Sequence, residues 1–185
     1  MVYFFIFAVI IFWVLYSRAK DPESPIIFSY PSWGIEFAWI PISFSHASWF
    51  DNKERFDREF LISTNNLYQA YLYIKRYPLY NDYIEKKLIE YNIPLDFRYL
   101  PIAESALRND VVSHAGAAGI WQFMPETWKR YWLQVDDMID ERYHFKKATD
   151  AAVKYLSDLY VMFWDWALVA AAYNRGENWL RRDMQ

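Results

Sequence analysis

From Asp51 onward, apolar side chains recur at three- and four-residue intervals among charged ones: Phe56, Phe60, Leu61, Leu67, Tyr71, Leu72 and Ile74. That spacing marks one face of an α-helix, and a chain written this way has to bury the face against other helices. It predicts a helix from residue 51, interrupted near Ser63. A second is expected from Asn81, as N-cap, through Tyr83, Ile84, Leu88 and Ile89, ending by Asn92 because Pro94 cannot continue it. Leu95 to Ser105 is apolar and contains Pro101, whose missing N–H leaves the carbonyl of Phe97 without a helical partner, so a kink is expected just before Glu104. Ala148, Ala151, Ala152, Tyr155, Leu156 and Leu159 trace another stripe. Asp165 and Gly176 bracket the last clear helix as N-cap and C-terminal stop. No stretch alternates as a half-buried strand would. The fold class that follows is all-α, with roughly five to seven helices and one glycine-bearing loop at 113–119.

Composition closes several routes. A length of 185 residues holds one domain and a short appendage, and 55% hydrophobic against 23% charged residues suits a packed core. The net charge of -3 lacks the basic footprint of a nucleic-acid binder. With no cysteine, disulfides, thiolate zinc sites, iron–sulfur clusters, thiol nucleophiles and a lipidated cysteine are excluded. His46, His114 and His144 are scattered without ligand spacing, so neither a metal nor another cofactor is expected. Aromatic residues make up 22% of the chain, which fits either a core or a groove that stacks sugar rings.

Residues 2–16 form an uninterrupted apolar run that, as a helix, reaches about 22 Å of a hydrocarbon layer of about 30 Å. That is short for a span and matches a signal peptide or an N-terminal membrane anchor over residues 1–20. Ser17 and Ala19 are small at the two positions a signal peptidase reads, leaving Lys20 as the mature start. Against this, no basic residue precedes the run, while Arg18 and Lys20 follow it. Residues 21–48, with Pro22, Pro25, Pro31 and Pro41, read as a linker, and 49–185 as the helical domain.

Glu104 closes a mostly apolar segment, where poor solvation would raise its pKa toward a general acid's range. Ser113 then opens a run of small residues, His114-Ala115-Gly116-Ala117-Ala118-Gly119, that allows close backbone approach. Ile120-Trp121-Gln122-Phe123-Met124-Pro125 follows. A glutamine between aromatics suits a ligand whose rings lie on Trp121 or Phe123, with Met124 as a flexible apolar wall.

The strings PIAESAL, VVSHAGAAGIWQFMPETW, VDDMIDER, ATDAAVKYLSDLY and ALVAAAYNRG together resemble the soluble-lytic-transglycosylase (SLT) family, most of all its membrane-bound transglycosylase D branch, over about residues 49 to 182. The resemblance implies a lysozyme-like helical domain whose open groove binds peptidoglycan glycan strands. It implies cleavage of the β-1,4 bond from N-acetylmuramic acid to N-acetylglucosamine without water, leaving a 1,6-anhydromuramic end. Glu104 matches the single catalytic acid and base of the Glu-Ser motif. Ser113 matches a substrate-positioning serine, Gln122 and Met124 a groove-lining motif, and Tyr173 with Asn174 the Ala-Tyr-Asn motif beside the acid. An exported, periplasmic enzyme acting as a monomer is expected, with membrane contact through residues 2–16 and no nucleic-acid partner.

Two other readings stay open on the residues alone: a lysozyme-like hydrolase using Glu104 and water, and a non-catalytic glycan-binding domain. Asp110 and Glu126 are the candidates for a second carboxylate, read instead as a loop residue and a helix-start residue. Asp140-Glu141-Arg142 reads as a buried or half-buried ion pair fixing the loop before the next helix. The chain ends nine residues after Gly176, whereas the branch usually continues, so a C-terminal truncation that leaves Trp179 and Leu180 facing nothing is expected.

Overall fold

A computed structural model describes residues 36–37, 40–41, 54, 58 and 67–184. Residues 1–20, with the apolar run 2–16, lie outside the described residues, as do most of the linker and the break expected near Ser63. Glu54 and Arg58 are helical and exposed. Within the linker, β1 (Glu36–Phe37) and β2 (Ile40–Pro41) pair antiparallel, Glu36 opposite Pro41 and Phe37 opposite Ile40. Two-residue strands are too short to show an alternating pattern.

The remainder is helical: α1 (Leu67–Arg76), α2 (Asn81–Glu90), α3 (Leu100–Ser105), α4 (Pro125–Arg130), α5 (Phe145–Phe163), α6 (Trp166–Arg175) and α7 (Glu177–Asp183). Short 3-10 turns at Tyr77–Leu79, Leu95–Tyr99 and Glu141–Tyr143 connect them. The stripe along α5 is buried at Ala148, Ala151, Ala152, Tyr155, Leu156 and Leu159, and α5 packs against α2 and α6. Phe97 and Trp166 meet edge to face with centroids 5.3 Å apart, and Tyr160 stacks on Trp166 at 4.2 Å. Such fully buried side chains as Ile84, Leu88, Phe97, Trp121 and Leu156 each contribute about 1.5–3 kcal/mol by leaving water.

The caps correct the sequence reading in places. The side chain of Asp165 accepts from the Leu168 N–H at 2.9 Å, and Gly176 ends α6 at φ 88°, both as expected. Asn81 does not cap α2: Tyr80 occupies the N-cap position without a side-chain bond, and Asn81 Oδ1 is buried without a partner among the described residues. Pro101 does not kink a helix. The turn Leu95–Tyr99 is 3-10, the Leu100 N–H reaches the carbonyl of Phe97, and Pro101 lies in the first turn of α3, where no helical N–H is needed. Leu180 faces the core at 7% exposure rather than nothing, and Trp179 meets Arg175.

The loop between α3 and α4 is closed by backbone pairing of Ala118 with Val112 and Phe123. Its fixed point is Gly119, at φ 76°, where a Cβ would stand 2.0 Å from the carbonyl oxygen of Arg142. The Arg142 side chain binds Asp140 at 2.6 Å, within the loop before α5 where the ion pair was expected, and donates to the carbonyl of Gly116 at 2.9 Å, so the pair also ties down the α3–α4 loop. Gly119→Ala is therefore expected to destabilise the protein by more than about 3 kcal/mol, combining backbone overlap with a left-handed φ. Urea unfolding within 1 kcal/mol of wild type would contradict that contact.

Candidate active site

Helix α3 ends abruptly. Ala106 and Leu107 both take left-handed φ, 55° and 58°, and return their N–H groups to the carbonyls of Ile102 and Pro101. The turn leaves Glu104 in the last turn of a helix buried at Leu100, Pro101, Ile102 and Ser105. Arg76 of α1 donates to the carbonyl of Ala106 at 2.9 Å and holds the turn. Among the described residues no hydrogen bond or ion pair reaches the Glu104 carboxylate. Burial alone pushes its pKa from 4.5 up to about 7.

Ser105, next in the chain, has a buried hydroxyl within hydrogen-bond distance of two carbonyls, Pro101 at 3.1 Å and Ile120 at 2.9 Å. The Tyr173 hydroxyl donates to the neighbouring carbonyl, that of Trp121, at 2.8 Å. Consecutive carbonyls of one loop thus join α3, which carries the acid, to α6, which carries Tyr173. Burial, reinforced by the charge of Glu104, raises the Tyr173 phenol well above its ordinary pKa, so it stays protonated as a donor.

Gln122, Met124, Tyr173 and Asn174 line one cleft of about 570 Å³, together with α4 and α7. Gln122, at φ 49°, donates its amide N–H groups to the carbonyls of Gly119 at 2.9 Å and Val111 at 3.4 Å, leaving Oε1 as its acceptor. Glu104 and Ser113 are not among the cleft's lining residues; Tyr173, which lines it, feels the charge of Glu104. The Ser113 Oγ accepts from the Ala117 N–H at 3.0 Å and so braces the small-residue loop. Of the two rings expected beneath a ligand, Trp121 is a core residue at 0% exposure whose indole donates to Thr149 at 3.0 Å, whereas Phe123, 2% exposed, also lines the cleft.

Glu177 was not singled out from sequence. It pairs with Arg130 at 2.8 Å and accepts from the Tyr155 hydroxyl at 2.8 Å, while the Tyr155 ring packs 5.3 Å from that of Tyr173. Burial raises its pKa, but a backbone N–H, Tyr155 and Arg130 outweigh burial and hold it below the usual range. Its adjacency to the Ala-Tyr-Asn motif was the available signal. Asp110 bonds Arg108, which lowers its pKa, and is exposed; Glu126 lines the cleft in the first turn of α4. His114 is an exposed loop residue. Among the described residues no group of three His, Asp or Glu side chains could hold a metal ion, and no helix is long and apolar enough to cross a membrane.

The Transglycosylase SLT domain family matches residues 82–185. Over 87 residues the chain is 42% identical to membrane-bound lytic murein transglycosylase D of Escherichia coli (strain K12), covering 46% of this chain and 19% of that protein. Over 96 residues it is 31% identical to a protein of Alteromonas sp. (strain M-1) named for tributyltin chloride resistance, covering 51% of this chain and 46% of that one. The matches therefore span about a fifth and under half of those relatives.

The raised pKa has a sign that can be measured. Folded Glu104 keeps its proton up to about pH 7, whereas the unfolded chain gives it up near 4.5. The folded state is therefore unaffected below 4.5, loses stability as pH climbs from 4.5 to 7, and carries the full cost above 7. Glu104→Gln is expected to be more stable than wild type by about 1–3 kcal/mol at pH 8 and equal to it at pH 4. Equal melting temperatures at both pH values would show the carboxyl to be well solvated.

Proposed function

The chain belongs to the Transglycosylase SLT domain family, and from that premise we propose that it is a peptidoglycan lytic transglycosylase. It cleaves the β-1,4 bond between N-acetylmuramic acid and N-acetylglucosamine without water, with Glu104 as general acid and then base. The feature that carries this reading is the carboxyl of Glu104: burial pushes its pKa up to about 7, no cation reaches it among the described residues, and its charge is felt by the Tyr173 phenol. The name of the Escherichia coli relative, a murein transglycosylase, supports the same substrate class.

A hydrolase acting through two carboxylates needs a second one free to activate water or attack the sugar. Here Asp110 is engaged with Arg108, and Glu177 with Arg130 and Tyr155, which leaves Glu126, in the cleft lining, as the carboxylate that the Glu126→Gln variant tests. A single acid suffices when the substrate supplies the nucleophile. Glu104 donates its proton to the glycosidic oxygen as the bond from C1 to that oxygen breaks, and the substrate's N-acetyl oxygen stabilises C1. The Glu104 carboxylate then takes the proton from the C6 hydroxyl of the same sugar as the bond from O6 to C1 forms. Acid is regenerated and no water is consumed. Intramolecular attack gains from proximity, and the apolar surroundings of Glu104 disfavour competing water.

In this reading Gln122, Met124, Tyr173 and Asn174 hold the strand in the cleft. Ser113 positions the muramic N-acetyl group near the attacking hydroxyl, with the small-residue loop at its back. The catalytic domain is residues 49–185, joined by the linker 21–48 to a signal peptide or anchor at 1–20. The protein acts as a monomer in the cell envelope, with residues 2–16 meeting the membrane.

Mass spectrometry of digests of purified peptidoglycan tests the reaction. Wild type is expected to give anhydro-ended fragments, lighter by one water than hydrolysed ones, and Glu104→Gln to give none while remaining folded. Glu126→Gln is expected to keep the anhydro products. Reducing ends from wild type would mean hydrolysis instead. Cleavage requires protonated Glu104, so its rate is expected to fall as pH rises through about 7; a rate unchanged between pH 6 and 9 would remove Glu104 from the acid's role.

A further inference from the structure

The end of the cleft formed by α6 and α7 carries cations that nothing in the chemistry above uses. With Arg130 and Glu126 of α4 and Glu177 of α7, Arg175 of α6 and Arg182 of α7 give the cleft lining one positive charge in excess although the chain as a whole carries -3. Arg130 is taken up by Glu177. Arg175 is not: among the described residues it makes no ion pair or hydrogen bond, and its guanidinium carbon lies 4.7 Å from the ring centroid of Trp179. Arg182 has its Nε bonded to the carbonyl of Asn178 at 3.3 Å and makes no ion pair among the described residues. The indole holds Arg175 in place while leaving its N–H donors unspent, which lowers the ordering cost of binding an anion there. A guanidinium presents paired donors that match the two oxygens of a carboxylate.

We propose that Arg175 and Arg182, with Trp179 as support, form a subsite for the carboxylates of the peptide stem carried by muramic acid. The proposal rests on the peptidoglycan reading above. The sugar rings of a strand offer these cations neutral hydroxyls and amides, whereas its stems offer carboxylates. The subsite makes the enzyme prefer strands that carry acidic stems over strands whose stems are missing or neutral.

The experiment measures binding of the full chain carrying Glu104→Gln, with and without Arg175→Gln and Arg182→Gln, to three purified strands. One has stems with free carboxylates, one has the same stems amidated, and one is stripped of stems so that only the lactyl carboxylate remains. The expected result is a preference of about ten-fold for free-carboxylate stems over both other strands, lost in the arginine variant and in high salt. A preference that survives the double substitution overturns the subsite. So does an equal loss on all three strands, which would mean a general sugar wall, or a loss shared with stripped strands, which would assign the cations to the lactyl group. Cleavage by the wild-type chain is measured in parallel: anhydro products with no stem preference sink the subsite alone, whereas absent products with intact stem preference sink the transglycosylase reading and leave the subsite standing.

Discussion

At Gly119 the chain passes so close to the carbonyl of Arg142 that no side chain fits between them, and the geometry of the site follows from that contact. It sets the height of the loop whose next two carbonyls, those of Ile120 and Trp121, engage the hydroxyls of Ser105 and Tyr173. Two helices far apart in sequence are thereby read against adjacent peptide units, and the acid and the phenol inherit their separation from backbone spacing rather than from flexible side chains. Burial of Trp121, with its indole bonded to Thr149 of α5, anchors the same loop to the longest helix described. A site assembled this way holds its geometry without a ligand, which catalysis by positioning requires.

Electrostatics then separate the carboxyl groups by environment. Glu104 has only burial, so its proton is retained toward neutrality; Glu177, also burdened by burial, has Arg130 and Tyr155 and remains ionised. Tyr173 cannot relieve the cost of charging Glu104, since its hydroxyl is directed to the Trp121 carbonyl. One group is thus kept ready to give a proton while the other braces the cleft wall.

Much of this was legible in the sequence because it rests on local rules. The apolar stripe of α5 and the caps at Asp165 and Gly176 are periodicity and cap chemistry, and they stand where the spacing puts them. The Asp140 and Arg142 pair was readable because its members are two residues apart. What escaped depends on partners distant in the chain. Arg130 and Glu177 lie on different helices, and neither has a distinctive neighbourhood in sequence. Trp121 and Phe123 read equally well as core or as sugar platforms, since an aromatic ring carries the same apolar surface in either place; only the packing of the loop puts Trp121 in the core and leaves Phe123 at the cleft's edge. Pro101 misled because a proline that breaks a helix interior is at ease in a first turn, and the 3-10 turn before it left no periodic signature.

The backbone around Glu104 explains why such a site needs the large core beside it. Ala106, Leu107 and Gln122 all hold positive φ without being glycine, at a cost of about 1 kcal/mol each, and the desolvated acid adds to it above neutral pH. Each serves the geometry: the first two stop α3 just past Glu104, so that no further helical turn covers the carboxyl, and the third turns the Gln122 amide back onto Val111 and Gly119. None of these conformations is locally favourable. They persist because Leu107, Ile120, Trp121 and Phe123, which flank them in sequence, are almost fully buried, and relaxing the backbone would draw those side chains out of the core. The same residues that make the domain stable therefore fix the acid in an environment where it would not otherwise remain.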